Sequence, residues 1–152
     1  MSTPDRPVVT VAAVVERDGY FLLVEEYAGQ KLVLNQPAGH LEAAESLTAA
    51  AARETWEETA YCFCPGFLVG VYHWAEPVNG STFVRFAFCG EVTGHEPAKP
   101  LDQGIVRANW FSTDEILAAQ HRHRSPLVWR CIEDYLAGRR YPIELIRNLI
   151  RR

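Results

Sequence analysis

At 152 residues the chain suits one globular domain, read as 1–152, and is too short for two. Its net charge of -4 and pI near 5.7 argue against a nucleic-acid polymer as partner, yet leave room for a small phosphorylated substrate held through a cation. Met1 to Pro7 is polar, no run reaches the roughly 18 apolar residues of a membrane span, and Cys62, Cys64, Cys89 and Cys131 lack zinc-site spacing. The expectation is a cytoplasmic protein with buried, reduced thiols and no membrane partner.

Val8 to Val15 is a β-branched run, and Arg17-Asp18-Gly19 leads into Tyr20 to Val24, which together predict a hairpin with Asp-Gly at its turn. A short apolar piece, Lys31 to Leu34, runs into Asn35-Gln36-Pro37-Ala38-Gly39, where Pro and Gly break regular structure. The Ala- and Glu-rich stretch from Ser46 to about Thr59 is the strongest helix signal. Strands are predicted over Phe67 to Trp74 and Thr82 to Val92, joined by Pro77-Val78-Asn79-Gly80, then a loop from Gly94 to Gly104 and a strand from Val106 to Phe111. Ser112 and Glu115 form a capping-box pattern for a short helix. A further helix follows Ser125-Pro126 to about Leu136, and Pro142 to Ile150 reads as a last one. Strands around one central helix, with helices at the end, predict an α+β fold with a mixed sheet between helices. The basic clusters His121 to Arg124 and Arg139-Arg140 read as solvated helix ends.

The chemistry concentrates on the central helix. Glu54, Glu57 and Glu58 fall at i, i+3 and i+4, so their side chains emerge on one face within a turn. Such a face can be simply solvated. It can also hold magnesium, which prefers hard oxygen ligands and keeps coordination positions for water and phosphate.

The segment Gly39 to Tyr61 resembles the Nudix box, G-x5-E-x7-R-E-U-x-E-E-x-G-U, with Gly39, Glu45, Arg53, Glu54, Glu57 and Glu58 in register. A chance match at six positions has a probability on the order of 10^-7 per start. Two positions depart from it. Ala60 stands where the family has glycine, so a different helix end is expected, and Thr55 replaces an aliphatic residue, which predicts altered packing. The resemblance implies a Nudix α/β/α sandwich and a hydrolase using Mg2+, with Mn2+ as a substitute, and metal-activated water. Glu57 and Glu58 would be principal metal ligands, and Glu54 a ligand or a base. Arg53 would orient the glutamates, with Glu57 its i,i+4 partner, and Glu45 would help indirectly. Gly39 would let the backbone approach the metal or a phosphate.

Beyond the box, Val9 to Ala12, Asn35 to Ala43, Arg85-Phe86, Arg124 to Val128 and Arg140-Tyr141-Pro142 resemble the bacterial NudJ-type phosphatases. That branch implies hydrolysis of nucleoside tri- and diphosphates, and of a hydroxymethylpyrimidine pyrophosphate. Rival readings are an ADP-ribose-type pyrophosphohydrolase and a non-catalytic nucleotide-binding Nudix module. Candidate substrate contacts are Arg85, Gln36 and Trp74. Arg85 in an apolar strand is set for a phosphate or a structural ion pair, and Trp74 for stacking on a ring or for core packing. His73 reads as a satisfied polar residue, and Asp102 as a loop acid that could serve as a base. Nothing in the sequence decides between monomer and homodimer.

Overall fold

The computed structural model describes residues 6–150, so Met1 to Asp5 of the polar N-terminal segment lie outside it. Among the described residues nine strands and three α-helices occur in the order β1 Val8–Val14, β2 Glu16–Arg17, β3 Tyr20–Ala28, β4 Lys31–Asn35, β5 Ala38–His40, α1 Leu47–Thr59, β6 Tyr61–Ala75, β7 Thr82–His95, β8 Ile105–Ser112, α2 Thr113–Ala118, α3 Leu127–Leu136 and β9 Tyr141–Pro142. Five strands form a mixed sheet in the order β5-β1-β7-β6-β9, in which β1 and β7 run parallel and the other pairs antiparallel. A second sheet is built on β3, with β2 and β4 along one edge and β8 along the other.

Alternation along β1 divides the core. Val11, Ala13 and Val15 face one cluster, which includes Ala50 and Ala51 of α1, while Ala12 and Val14 face another, which includes Cys131 and Ile132 of α3. Because successive side chains of a strand point to opposite faces, α1 and α3 cover opposite sides of the mixed sheet. This is the expected α/β/α sandwich, with β3 and β8 contributing side chains to both clusters. Among the described residues no helix is long and apolar enough to cross a membrane.

Three local expectations are corrected. Asp18 and Gly19 make the turn with φ of 53° and 84°, but its strands are β2 and β3, and β1 joins the other sheet. Position 142 does not start a helix: Tyr141 and Pro142 pair with Leu68 and Phe67, and only the single 3-10 turn Ile143–Leu145 follows. Of the four thiols, Cys89 and Cys131 are buried and Cys62 and Cys64 are exposed.

Candidate active site

Helix α1 starts at Ser46, whose hydroxyl accepts from the Ala49 N–H at 3.1 Å. Three small residues, Ala50, Ala51 and Thr55, let it lie close on the sheet, and all three are buried. Thr55 is accommodated in the buried face, where its hydroxyl donates to Ala51 O at 2.8 Å and is satisfied within the helix. At the other end Ala60 adopts φ 61°, ψ 22°, so the helix ends in the left-handed geometry a glycine would take, and the expected change of ending does not occur.

The last two turns of α1 carry the acids. Arg53 binds them together: its Nε and Nη2 hold both oxygens of Glu45 at 2.7 and 3.0 Å, and Nη1 reaches Glu54 Oε1 at 2.8 Å and Glu57 Oε2 at 3.2 Å. Nη2 also donates to His40 O at 3.1 Å, which ties the helix to the edge strand β5. The Arg53 bond holds the Glu45 carboxyl below the usual range, and the same set of acids raises the arginine. Burial pushes Glu54 upward, opposed by Arg53 and assisted by Glu57 and Asp102.

Carboxylate oxygens of Glu54, Glu57 and Asp102 lie within 4.8 Å of one another. Asp102 comes from the loop before β8 and is brought in by its backbone, whose N–H donates to Glu57 O at 3.0 Å. In the sequence Asp102 reads as a loop acid that could serve as a base, and its contact with Glu57, 45 positions away, leaves no local signal. Glu58, expected as a principal metal ligand, is not in this group. Its Oε1 accepts from the Ala38 N–H at 2.9 Å, and burial pushes its pKa up to about 9, with Glu26, Glu54 and Asp102 adding repulsion. Gly39 abuts the group directly: a Cβ there would overlap the Glu54 carboxylate. All of these donors are hard oxygens, the set that suits magnesium or manganese.

A cleft of about 330 Å³ adjoins this cluster at Gly39 and extends past Arg85 to Trp74 and Phe83. Trp74 stacks on Phe83 with centroids 5.7 Å apart. Arg85 is buried and forms none of the ion pairs found among the described residues, so the structural ion-pair alternative is set aside. Its guanidinium donates instead to Gln36 Oε1 and Asn35 Oδ1 at 2.9 and 3.1 Å. Gln36 does not reach the cleft; it is 1% exposed, and its Nε2 donates to Val128 O at 2.7 Å. His73 is exposed, on the opposite side of its strand from Trp74. The basic cluster at His121 to Arg124 is not merely solvated: His123 bonds Ile116 O at 2.8 Å and Arg124 pairs with Glu26 at 3.0 Å beside the cleft.

The fold, the acidic helix and the carboxylate group define a Nudix-type hydrolase site, and a model of the NUDIX domain matches residues 5–129. The chain belongs to the Nudix family and is a hydrolase acting on phosphate anhydrides. It is similar to phosphatase NudJ of Escherichia coli (strain K12), 46% identical over 141 residues that cover 93% of this chain and 91% of that protein. A solved NUDIX hydrolase from Nitrosomonas europaea is 54% identical with a TM-score of 0.93, covering 94% of this chain and 97% of that one. A MutT NUDIX hydrolase from Burkholderia pseudomallei, at 21% identity and TM-score 0.72 over 86% of this chain and 98% of that one, shares the fold.

Proposed function

We propose that the protein is a single-domain, magnesium-dependent phosphohydrolase that cleaves the phosphate anhydrides of nucleoside tri- and diphosphates, with a hydroxymethylpyrimidine pyrophosphate as a further substrate. The observation that carries this reading is the join at Gly39 between the carboxylate group and a cleft sized for one nucleoside. The likeness to phosphatase NudJ supports release of phosphate. The reading places the enzyme in the cytoplasm, as a monomer or homodimer.

Glu54, Glu57 and Asp102 would hold the cation, with Glu58 joining them once the cation's charge offsets its burial. Mn2+ would serve in place of Mg2+. The cation supplies polarisation of a phosphoryl oxygen and activation of the attacking water. Arg53 fixes the rotamers of Glu54 and Glu57 and leaves Glu54 Oε2 without a protein hydrogen bond. That oxygen, on a carboxyl raised by burial, is placed to accept the proton of the attacking water. Trp74 stacks the heterocycle, and Gly39, having no Cβ, leaves the Glu54 carboxylate its place beside β5.

A phosphate-release assay with magnesium tests this, on nucleoside tri- and diphosphates, ADP-ribose and the pyrimidine pyrophosphate, with Glu57→Gln as control. Phosphate from the nucleotides that disappears in the variant is the expected result. Cleavage of ADP-ribose alone would replace the substrate class, and turnover unchanged by Glu57→Gln would remove the metal assignment.

A further inference from the structure

Asn35-Gln36, Arg85 and the segment Arg124 to Val128 are distant in sequence and meet at one wall of the cleft. Val128 O accepts from Gln36 Nε2 at 2.7 Å, and Gln36 Oε1 accepts from Arg85 Nη1 at 2.9 Å. Arg85 Nη2 donates to Asn35 Oδ1 at 3.1 Å; Asn35 Nδ2 donates to Glu26 Oε1 at 3.2 Å, and Arg124 Nη1 donates to the same oxygen at 3.0 Å. Each amide both donates and accepts, so reversing either would set donor against donor. The guanidinium is therefore held in one plane from both of its terminal nitrogens.

The array does not use every donor of the guanidinium. Arg85 Nε has no hydrogen-bond partner although it is buried, and Nη2 has a second N–H beyond the one given to Asn35. Nε–H and the Nη2–H on its side share one edge of the planar group, the arrangement of a two-pronged donor. The residue itself is 6% exposed and lines the cleft. Strand register sets its surroundings. Arg85 lies beside Thr10 on β1, and the stacked pair Phe83 and Trp74 stands two residues along on the same face of the sheet. A planar ring against those aromatics would lie one row, about 7 Å, from the fork.

We infer that Arg85 is the specificity-determining residue for the heterocycle, selecting a base whose edge presents two adjacent acceptors. Guanine does so with O6 and N7, whereas adenine replaces O6 by an amino donor that would confront the guanidinium. Gln36 and Asn35 are positioning residues that act through Arg85. This inference rests on the nucleotide reading above and deepens it. A phosphate contact by Arg85 would instead serve all nucleotides alike.

Calorimetric titration of the magnesium-loaded protein with GMP and AMP, together with kcat/KM for GTP, 7-deaza-GTP and ATP, tests it. The expected result is a guanine preference of about tenfold or more in both readouts, with 7-deaza-GTP falling toward ATP. Arg85→Lys, which keeps the charge and loses the fork, should lower the guanine values by a larger factor than those for adenine. Gln36→Leu should compress the same ratio. Equal affinity for GMP and AMP, or an equal loss for both bases in Arg85→Lys, would overturn the inference. GMP selectivity in a protein without turnover would uphold it while refuting the proposed reaction, so the two failures are distinguishable.

Discussion

Gly39 and Glu54 are placed so that the hydrogen of one stands where the carboxylate of the other needs room: any Cβ at position 39 would overlap the Glu54 carboxyl group. The backbone of Gly39 has no left-handed torsion that would require glycine, so the requirement is one of space. Gly39→Ala should therefore fold on β5, opposite Val11, but displace Glu54. We expect kcat/KM to fall by roughly 100-fold, as displacements of about 1 Å in a catalytic group do. Circular dichroism should be unchanged, and steady-state kinetics with wild-type activity would disprove the close approach.

Asp102 reaches the acids only through its loop, held by the bond from its N–H to Glu57 O. Asp102→Asn keeps that backbone bond and removes a charge from the carboxylate group. Its affinity for Mn2+, read by titration calorimetry, should drop by at least about tenfold, the smaller end of what altered metal sites lose. An unaltered affinity would take Asp102 out of the site.

Glu58 supplies a pH test. Its folded pKa of about 9 exceeds the ordinary 4.5, so between these values the native protein holds a proton that the unfolded chain has released. Its contribution is at its fullest below about pH 4.5 and is lost as pH rises toward 9. The metal-free protein should thus lose stability across this window, by up to about 1.4 kcal/mol per pH unit for one whole proton. Urea melts at pH 6 and pH 8.5 measure it, and Glu58→Gln should flatten the dependence. A wild-type slope matching that of the variant would show that Glu58 ionises normally.

Two alanines sit at positive φ, Ala44 at 60° and Ala60 at 61°. Replacing either by glycine relieves about 1–2 kcal/mol of left-handed strain, partly offset by the added freedom of the unfolded chain. Ala44 is exposed, whereas Ala60 is 1% exposed and gives up a buried methyl worth about 0.8 kcal/mol. Ala44→Gly should raise Tm by about 2–4 °C, and Ala60→Gly by less. Differential scanning calorimetry decides it; the reverse order would mean that methyl burial does not set the difference.

Features that depend on neighbours in the chain were legible in the residues. Helix α1, its Ser46 cap, the α2 capping box and the Asp18-Gly19 turn are decided within a few residues, by propensity and local hydrogen bonds. The i, i+3, i+4 glutamates and the Arg53–Glu57 contact follow from helix geometry alone. The failures share a cause. β1 was expected to pair with β3 but lies beside β7, more than seventy positions away, because burying both of its faces outweighs the nearest hairpin. Tyr141-Pro142 follow the edge of β6 rather than a helix, since pairing with Leu68 and Phe67 gives the strand a partner there.

The sequence by itself determined the family, the acidic helix and a set of hard oxygen donors suited to a divalent cation, all properties of residue type at fixed spacing. Only the tertiary structure decided which acids meet. Glu58 turned toward Ala38 N because a buried carboxyl takes the nearest donor, and Asp102 lies beside Glu54 and Glu57 because its loop N–H donates to the Glu57 carbonyl of the helix. It likewise set Arg85 among amide oxygens instead of carboxylates, leaving its Nε without a protein partner, a matter of strand register that no local pattern encodes.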